Sequence, residues 1–423
     1  MGWSVFRKTG LTFHNPNRSV KGFTLISPPG SESAVLINMA GQVVKRWHFT
    51  DFRPGFGKLL PSGNLMITGP DPELLRQAKE ADEETVRADL SLRLRRLGGG
   101  YTLLREYDFE GNLLWSYDNT AIHHDFHVKE NGNILFPEWV VLPEELARQV
   151  RGGIRSRRKH QPPMLGDDII EVNRAGAIVA RHHTWQYFHP RRDPIQPLEN
   201  RGEWTHVNGI DVDADGRILV SCRSNSRVAI LDPVTEELVW KLTEPEISMQ
   251  HNPTFVADGH VQVFDNGMSR PDALPYSRVI EVDPASGEIV WEYKGNPPAQ
   301  FFSGHISSAQ RLEMGNVLIC EGTSGRLFEV TRSGEIVARA GNRRQEDNDP
   351  AAHAELIALR AAGRAVGDWR LSDCTLYVTL EPCPMCAAAC REARLQLVIW
   401  GADDDRAGAC GSVLDLATDP RLG

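Results

Sequence analysis

VAILDPVTEELVWKL, residues 228–242, reads as a strand, an Asp-Pro turn and a second strand, and it returns as RVIEVDPASGEIVWEY at 278–293. Variants of the same phrase occur as YTLLREYDFEGNLLWSY (101–117), DIIEVNRAGAIVA (168–180) and LFEVTRSGEIVA (327–338). Ahead of each stands a second phrase, a turn with glycine and then an apolar strand: PSGNLMITG, KENGNILFP, DADGRILVS, VADGHVQVF and LEMGNVLIC. Short apolar runs separated by Gly, Asp, Asn and Pro turns describe antiparallel strands. A four-stranded unit repeated about every fifty residues describes propeller blades. Five full units and one leading half unit, SAVLINMAGQVVKRWHF (33–49), predict a six-bladed all-β propeller. The half unit is expected to be completed by the end of the chain.

Two insertions break the rhythm. Asp71 to Leu97 is charged and helix-prone, and Val141 to Met164 contains RGGIRSRRK (151–159), the one dense basic cluster, read as a solvated surface loop. Insertions between propeller strands sit over one face, where they cap or shape a site. Just after Ile336 the pattern changes into AGNRRQEDNDPAAHAEL (340–356), an alanine-rich helix start. The chain therefore divides into a propeller over 1–333 and a second, truncated α/β unit over 334–423, with the strand from Glu335 to Ala340 read as common to both.

A length of 423 residues fits two units better than one ordinary core, and 41% hydrophobic with 24% charged residues describes a globular chain. A net charge of −9 argues against broad, sequence-independent nucleic-acid binding. No stretch approaches the ~20 apolar residues of a membrane span, and the N-terminus lacks the apolar core of a signal peptide. Seven cysteines, five of them in the last fifty residues, suit metal ligation in a reducing compartment, so a cytoplasmic protein is expected.

In the last fifth of the chain, His353-Ala354-Glu355 and Pro382-Cys383-Pro384-Met385-Cys386 form the pattern H-x-E…P-C-x-x-C. Residues 353–362 read as a helix, 374–380 as a buried strand, 384–394 as a second helix and 396–401 as another strand. Cys383 and Cys386 fall at a helix N-terminus, which favours thiolates. His353, Cys383 and Cys386 would hold Zn2+ through three ligands, with Glu355 carrying a proton from water to a leaving group. A lone C-x-x-C would instead be a redox pair or half of a structural zinc site. Cys374, Cys390 and Cys410 are read as core or surface thiols.

On AGNRRQEDNDPAAHAELIALR, LYVTLEPCPMC and GADDDRAGACGSVLDL, residues 334–416 resemble the tRNA adenosine deaminases of the zinc cytidine/adenosine deaminase superfamily. The resemblance implies hydrolytic conversion of adenosine to inosine in tRNA or a small nucleoside, with Asn342 contacting the nucleoside and Asp404 near its ribose. The chain departs from that family at both ends of the segment. The opening helix and strand give way to propeller sequence, and the closing elements are missing after Gly423.

Histidines recur just upstream of the glycine turn in four units: His124, His206, His251 and His305. Equivalent positions of equivalent blades face the mouth of the central channel, so the imidazoles should converge. With Arg223 as the guanidinium, they would form a site for an anionic ester in which one His attacks and another protonates the leaving group. HHD at 123–125, His206-x-Asn208, Ser221-x-Arg223, Gln250-His251, VFDNG, YSRVIEVD and EIVWEY resemble the bacterial arylsulfate sulfotransferases, PAPS-independent enzymes that pass sulfate between phenols through a sulfohistidine. The resemblance implies His251 as nucleophile, with His124, His206, Asn208 and Arg223 around the sulfuryl group, and an aryl sulfate and a phenol as substrates. Two other readings stay open: a propeller that is a non-catalytic scaffold presenting RNA or protein, and a chimera in which neither activity is intact. A homodimer is also left open.

Overall fold

The computed structural model describes residues 11–28, 31–155, 162–270, 274–340, 355–356, 358–359, 362–363, 368–372, 374–402 and 408–416. Six antiparallel sheets follow one another along the chain as the blades of a propeller. Blade 1 comprises Phe23–Ile26, Ser33–Asn38 and Val43–His48; blade 2 comprises Gly57–Leu59, Leu65–Gly69, Leu103–Tyr107 and Leu113–Asp118. Blade 3 comprises His127–Val128, Ile134–Val141, Leu165–Val172 and Ile178–His183. Blade 4 runs over Val207–Val212, Ile218–Cys222, Arg227–Asp232 and Glu237–Leu242, and blade 5 over His251–Phe255, Val261–Asp265, Arg278–Val282 and Ile289–Lys294. Blade 6 holds Ser308–Arg311, Val317–Glu321, Arg326–Val330 and Ile336–Ala340.

The repeated phrases supply the physical parts. Second strands such as Leu65–Gly69 and Ile218–Cys222 are buried at every residue, because neighbouring blades cover both faces. Leu219, Val228 and Ile230 of blade 4 pack with Val261, Val263 and Ile280 of blade 5. In the outer hairpin of blade 2, Asp108 Oδ1 accepts from the amides of Gly111 and Asn112, both at 2.7 Å, which explains the Asp or Asn before each outer turn. The outer-strand tryptophans tie one blade to the next. The indole N–H donates to a turn carbonyl of the following blade from Trp47 to Asp108, from Trp115 to Arg174 and from Trp291 to Arg332.

Ring closure runs opposite to the expected direction. Leu11–His14 adds a fifth, outermost strand to blade 6, pairing Leu11 with Ala340 and His14 with Ala338, while blade 1 keeps three strands. The Asn15 amide continues the ladder to Val337 O at 2.7 Å, and the Val20 amide donates to the Glu329 carboxylate at 2.8 Å. The strand read as common to two modules pairs on its other side with Leu327–Val330. Both edges of Ile336–Ala340 are thus taken within the propeller, and blade 6 continues past residue 333.

The first insertion folds as three short helices, Pro72–Glu80, Glu83–Ala88 and Leu90–Arg95, capped by Asp71, Asp82 and Asp89. The second holds a helix, Glu144–Gln149, and a strand, Gly152–Ile154, parallel to Ile195–Asn200. Arg93 of the first insertion joins the two by donating to Pro163 O at 2.6 Å and Gly202 O at 3.1 Å.

In the C-terminal segment, Thr375–Leu380 and Leu397–Ala402 form a parallel pair joined by the helix Pro384–Glu392. The strand expected to be buried is only partly so: Thr375 is exposed, and Leu397 and Ile399 of its partner are 50% and 40% exposed. Among the described residues these two strands leave exposed side chains that a larger sheet would bury.

Candidate active site

The strands of blades 3 to 6 bring the propeller histidines together. His124 and His206 each occupy the left-handed backbone region, at φ 58° and 52°, just before an innermost strand. Their rings meet edge to face with centroids 4.6 Å apart. His124 lies in the field of His206, His251 and Arg223, and His251 in that of Arg223, His206 and His305. His305 itself is exposed. Asn208 is buried and donates to Gln250 O at 2.8 Å, while its Oδ1 has no partner.

His251, His206 and Arg223 each have an orienting neighbour. The Asn266 amide donates both of its protons to backbone carbonyls, Ser303 O at 2.7 Å and Ile306 O at 2.9 Å, so its Oδ1 must accept. His251 Nδ1 lies 2.8 Å from that oxygen and is therefore the protonated nitrogen. Nε2 keeps its lone pair. Burial, outweighing the Asn266 hydrogen bond and aided by the Arg223 charge, pushes the His251 pKa down to about 3, so the ring is neutral at pH 7. Burial and the neighbouring imidazoles likewise hold His124 well below the usual imidazole value.

His206 behaves in the opposite way. Burial opposes its charge, but Glu203 Oε2, 2.7 Å from Nδ1, outweighs burial and raises its pKa. The same Glu203 oxygen accepts from the Trp139 indole at 3.0 Å, and Trp139 stacks on His123 at 4.3 Å between centroids. Arg223 donates to Glu199 Oε2 at 2.6 Å, and its backbone amide donates to His206 O at 3.1 Å. The cluster thus combines two neutral imidazoles, an imidazole biased toward its cation and a held guanidinium. The first insertion borders it, since the His124 amide donates to Gly99 O at 2.8 Å just past that insertion and its Arg93 holds the Gly202 carbonyl next to Glu203.

The four histidines and Arg223 were legible in the sequence; Glu203, Glu199 and Asn266 were not singled out. Asn266 lies inside VFDNG (263–267), which was noted for resemblance and not for its chemistry. Glu199 and Glu203 fall in a segment outside the repeat, where no periodic signal marks them.

In the C-terminal segment, Cys383 caps the helix that begins at Pro384, and Cys386 is fully buried in its first turn. Glu355 and Cys383 both lie within hydrogen-bonding reach of Cys386. Burial, then the Glu355 and Cys383 charges, push the Cys386 thiol far up. A thiol in that setting ionises only beside a cation, so the donor set fits a divalent metal. Among the described residues no cluster of three His, Cys, Asp or Glu side chains closes around a metal position. The expected third ligand, His353, lies outside the described residues, as do Asn342 and Asp404. The GACGS segment packs beneath the cysteine pair: the Ala409 amide donates to Pro382 O at 2.9 Å, and the Cys410 and Ser412 amides to the buried Glu381 at 2.7 and 3.0 Å. Burial and Glu381 push the Cys410 thiol up to about 11; burial and Glu355 push Cys390 up to about 12.

Residues 81–343 match the family Arylsulfotransferase (ASST), more than half of the chain, and the chain belongs to that family. Residues 328–402 match the cytidine and deoxycytidylate deaminase zinc-binding region, so the two matches overlap on the last strands of blade 6. The tRNA-specific adenosine deaminase of Bacillus subtilis is 46% identical over 90 residues, 21% of this chain and 56% of that protein. The tRNA(Ile)-lysidine synthase of Deinococcus radiodurans is 55% identical over 90 residues, 21% of this chain and 16% of that protein. The chain spans about half the length of the B. subtilis enzyme it matches, so the deaminase region is partial. Among solved structures, a protein of unknown function from Bacteroides caccae aligns with 77% of this chain and 95% of its own at 13% identity and a TM-score of 0.46. Among the described residues no helix is long and apolar enough to cross a membrane.

Proposed function

We propose that the propeller transfers a sulfuryl group from an aryl sulfate to a phenol through a covalent intermediate on His251. The observation that carries this reading is the Asn266–His251 pair, which leaves Nε2 unprotonated in the field of Arg223 and two further imidazoles. Nε2 attacks sulfur, the sulfur–aryl oxygen bond breaks, and the leaving phenolate takes a proton from His206, whose pairing with Glu203 favours the protonated form. Arg223 offsets the charge on the sulfuryl oxygens. In the second half, His206 accepts the proton of the acceptor phenol, the phenolic oxygen attacks sulfur, and the nitrogen–sulfur bond breaks to restore His251. His124, Asn208 and His305 complete the proposed binding wall.

Transfer from 4-nitrophenyl sulfate to phenol tests this reading. Wild-type protein is expected to release 4-nitrophenolate, and His251→Ala to lose that release to background. Undiminished release by the variant would remove the proposed nucleophile.

A second reading belongs to the C-terminal segment and rests on its 46% identity to a tRNA-specific adenosine deaminase together with the Glu355–Cys383–Cys386 grouping. We propose that this segment converts adenosine to inosine in tRNA. Cys383, Cys386 and His353 would hold zinc, which when bound makes water nucleophilic at neutral pH. Glu355 moves a proton from that water to the departing amino group. Asn342 and Asp404 contact the nucleoside. Both readings fit a cytoplasmic location. Inosine in tRNA digests, formed by the wild type and missing with Glu355→Ala, is the expected result; inosine from both proteins would place the activity elsewhere.

A further inference from the structure

The second insertion builds a cleft of about 710 Å3 whose lining includes Arg148, Arg151, Arg155, Arg191 and Arg201. Its floor is specified locally. Gly152 and Gly153 take φ of 80° and 70°, and a Cβ on Gly152 would stand 2.0 Å from Ile195 O, so only glycine lets Gly152–Ile154 lie against Ile195–Asn200. Arg201 holds the turn by donating to Gly152 O at 2.8 Å and to the carbonyls of Ala147 and Val150.

Among the described residues the charge of this cleft is not cancelled. Arg148 pairs with Glu144 and Glu145 on its own helix at 2.5 and 2.9 Å. No carboxylate among the described residues pairs with Arg151, Arg155 or Arg191, and Arg201 spends its donors on carbonyls, which leave its charge intact. Burial, followed by the Arg155 charge, lowers the Arg201 pKa, which is the sign of like charges gathered without a counter-ion. Four uncompensated guanidiniums on a chain of net charge −9 mark the place where a polyanion would settle. A single aryl sulfate carries too few charges to answer them. A phosphodiester chain, with an anion at every residue, does.

We propose that this cleft binds the backbone of a single-stranded RNA segment, a proposal that rests on the reading of the C-terminal segment as acting on RNA. The test is anisotropy of the full chain with fluorescent oligouridylate over a range of salt concentrations. This probe has no adenosine, so binding is read independently of deamination. Each phosphate neutralised adds about −0.7 to the slope of log affinity against log salt for a single strand. Arg151→Ala with Arg191→Ala is therefore expected to flatten the slope by about 1.4, while Arg76→Ala with Arg217→Ala, the same charge change elsewhere, leaves it unaltered. That pattern supports the cleft even if inosine never forms. Equal flattening by both pairs, an unchanged slope in the cleft variant, or binding of a sulfated oligosaccharide but not of oligouridylate would each overturn the proposal.

Discussion

His251 and His206 carry the same side chain in one cluster and are driven to opposite protonation states, His251 to the neutral form by burial against its Asn266 hydrogen bond, His206 toward the cation by Glu203. Asn266 is neutral and fixes a tautomer, while Glu203 is charged and favours the imidazolium. Sulfuryl transfer should therefore persist well below the ordinary imidazole pKa, because His251 takes up a proton only near pH 3, and should decline at high pH as His206 loses its proton. Glu203→Gln removes the force that raises the His206 value, so the alkaline limb of the pH–rate profile moves toward acid; an unmoved limb would assign it to another group. Asn266→Leu frees the tautomer of His251 and is expected to lower kcat by about 10²-fold or more while thermal stability falls far less. The histidines could be read from the sequence because a repeat places them in register. Their acidic partners could not, since Glu199 and Glu203 sit in a segment outside the repeat, where Arg93 reaches Gly202 from another blade's insertion.

At the scale of elements, the blades were legible because each needs the same turn acids and apolar middle strand. Asp108 and the Trp115 indole do for blade 2 what their counterparts do elsewhere in the ring. Trp115→Phe keeps the ring and loses the bond to Arg174, and is expected to cost about 1 kcal/mol in chemical denaturation; no change would make that bond dispensable. The closing strand escaped because LTFH at 11–14 is four residues long with no repeat partner. Ownership of Ile336–Ala340 was undecidable from composition, since its alanines suit either module, and hydrogen bonding on both edges settles it. Gly152→Ala should displace Gly152–Ile154 from Ile195–Asn200 and with it the arginine cleft, visible as new proteolysis confined to the insertion.

For the whole molecule, the propeller has all six blades, whereas in the deaminase-like segment the described residues include a parallel strand pair with exposed Leu397 and Ile399. If the donor set of that segment works as proposed, purified protein binds about one zinc per chain, and Cys383→Ala loses it; an unloaded wild type would leave the segment without its chemistry. The central claim stands apart from that outcome. It is tested most directly by intact-protein and peptide mass spectrometry after mixing the protein with 4-nitrophenyl sulfate in the absence of a phenol. The expected result is one sulfuryl group on the peptide that contains His251, removed on adding phenol and never formed by His251→Ala. Release of 4-nitrophenolate with no label on the protein, or with the label on another residue, would contradict it.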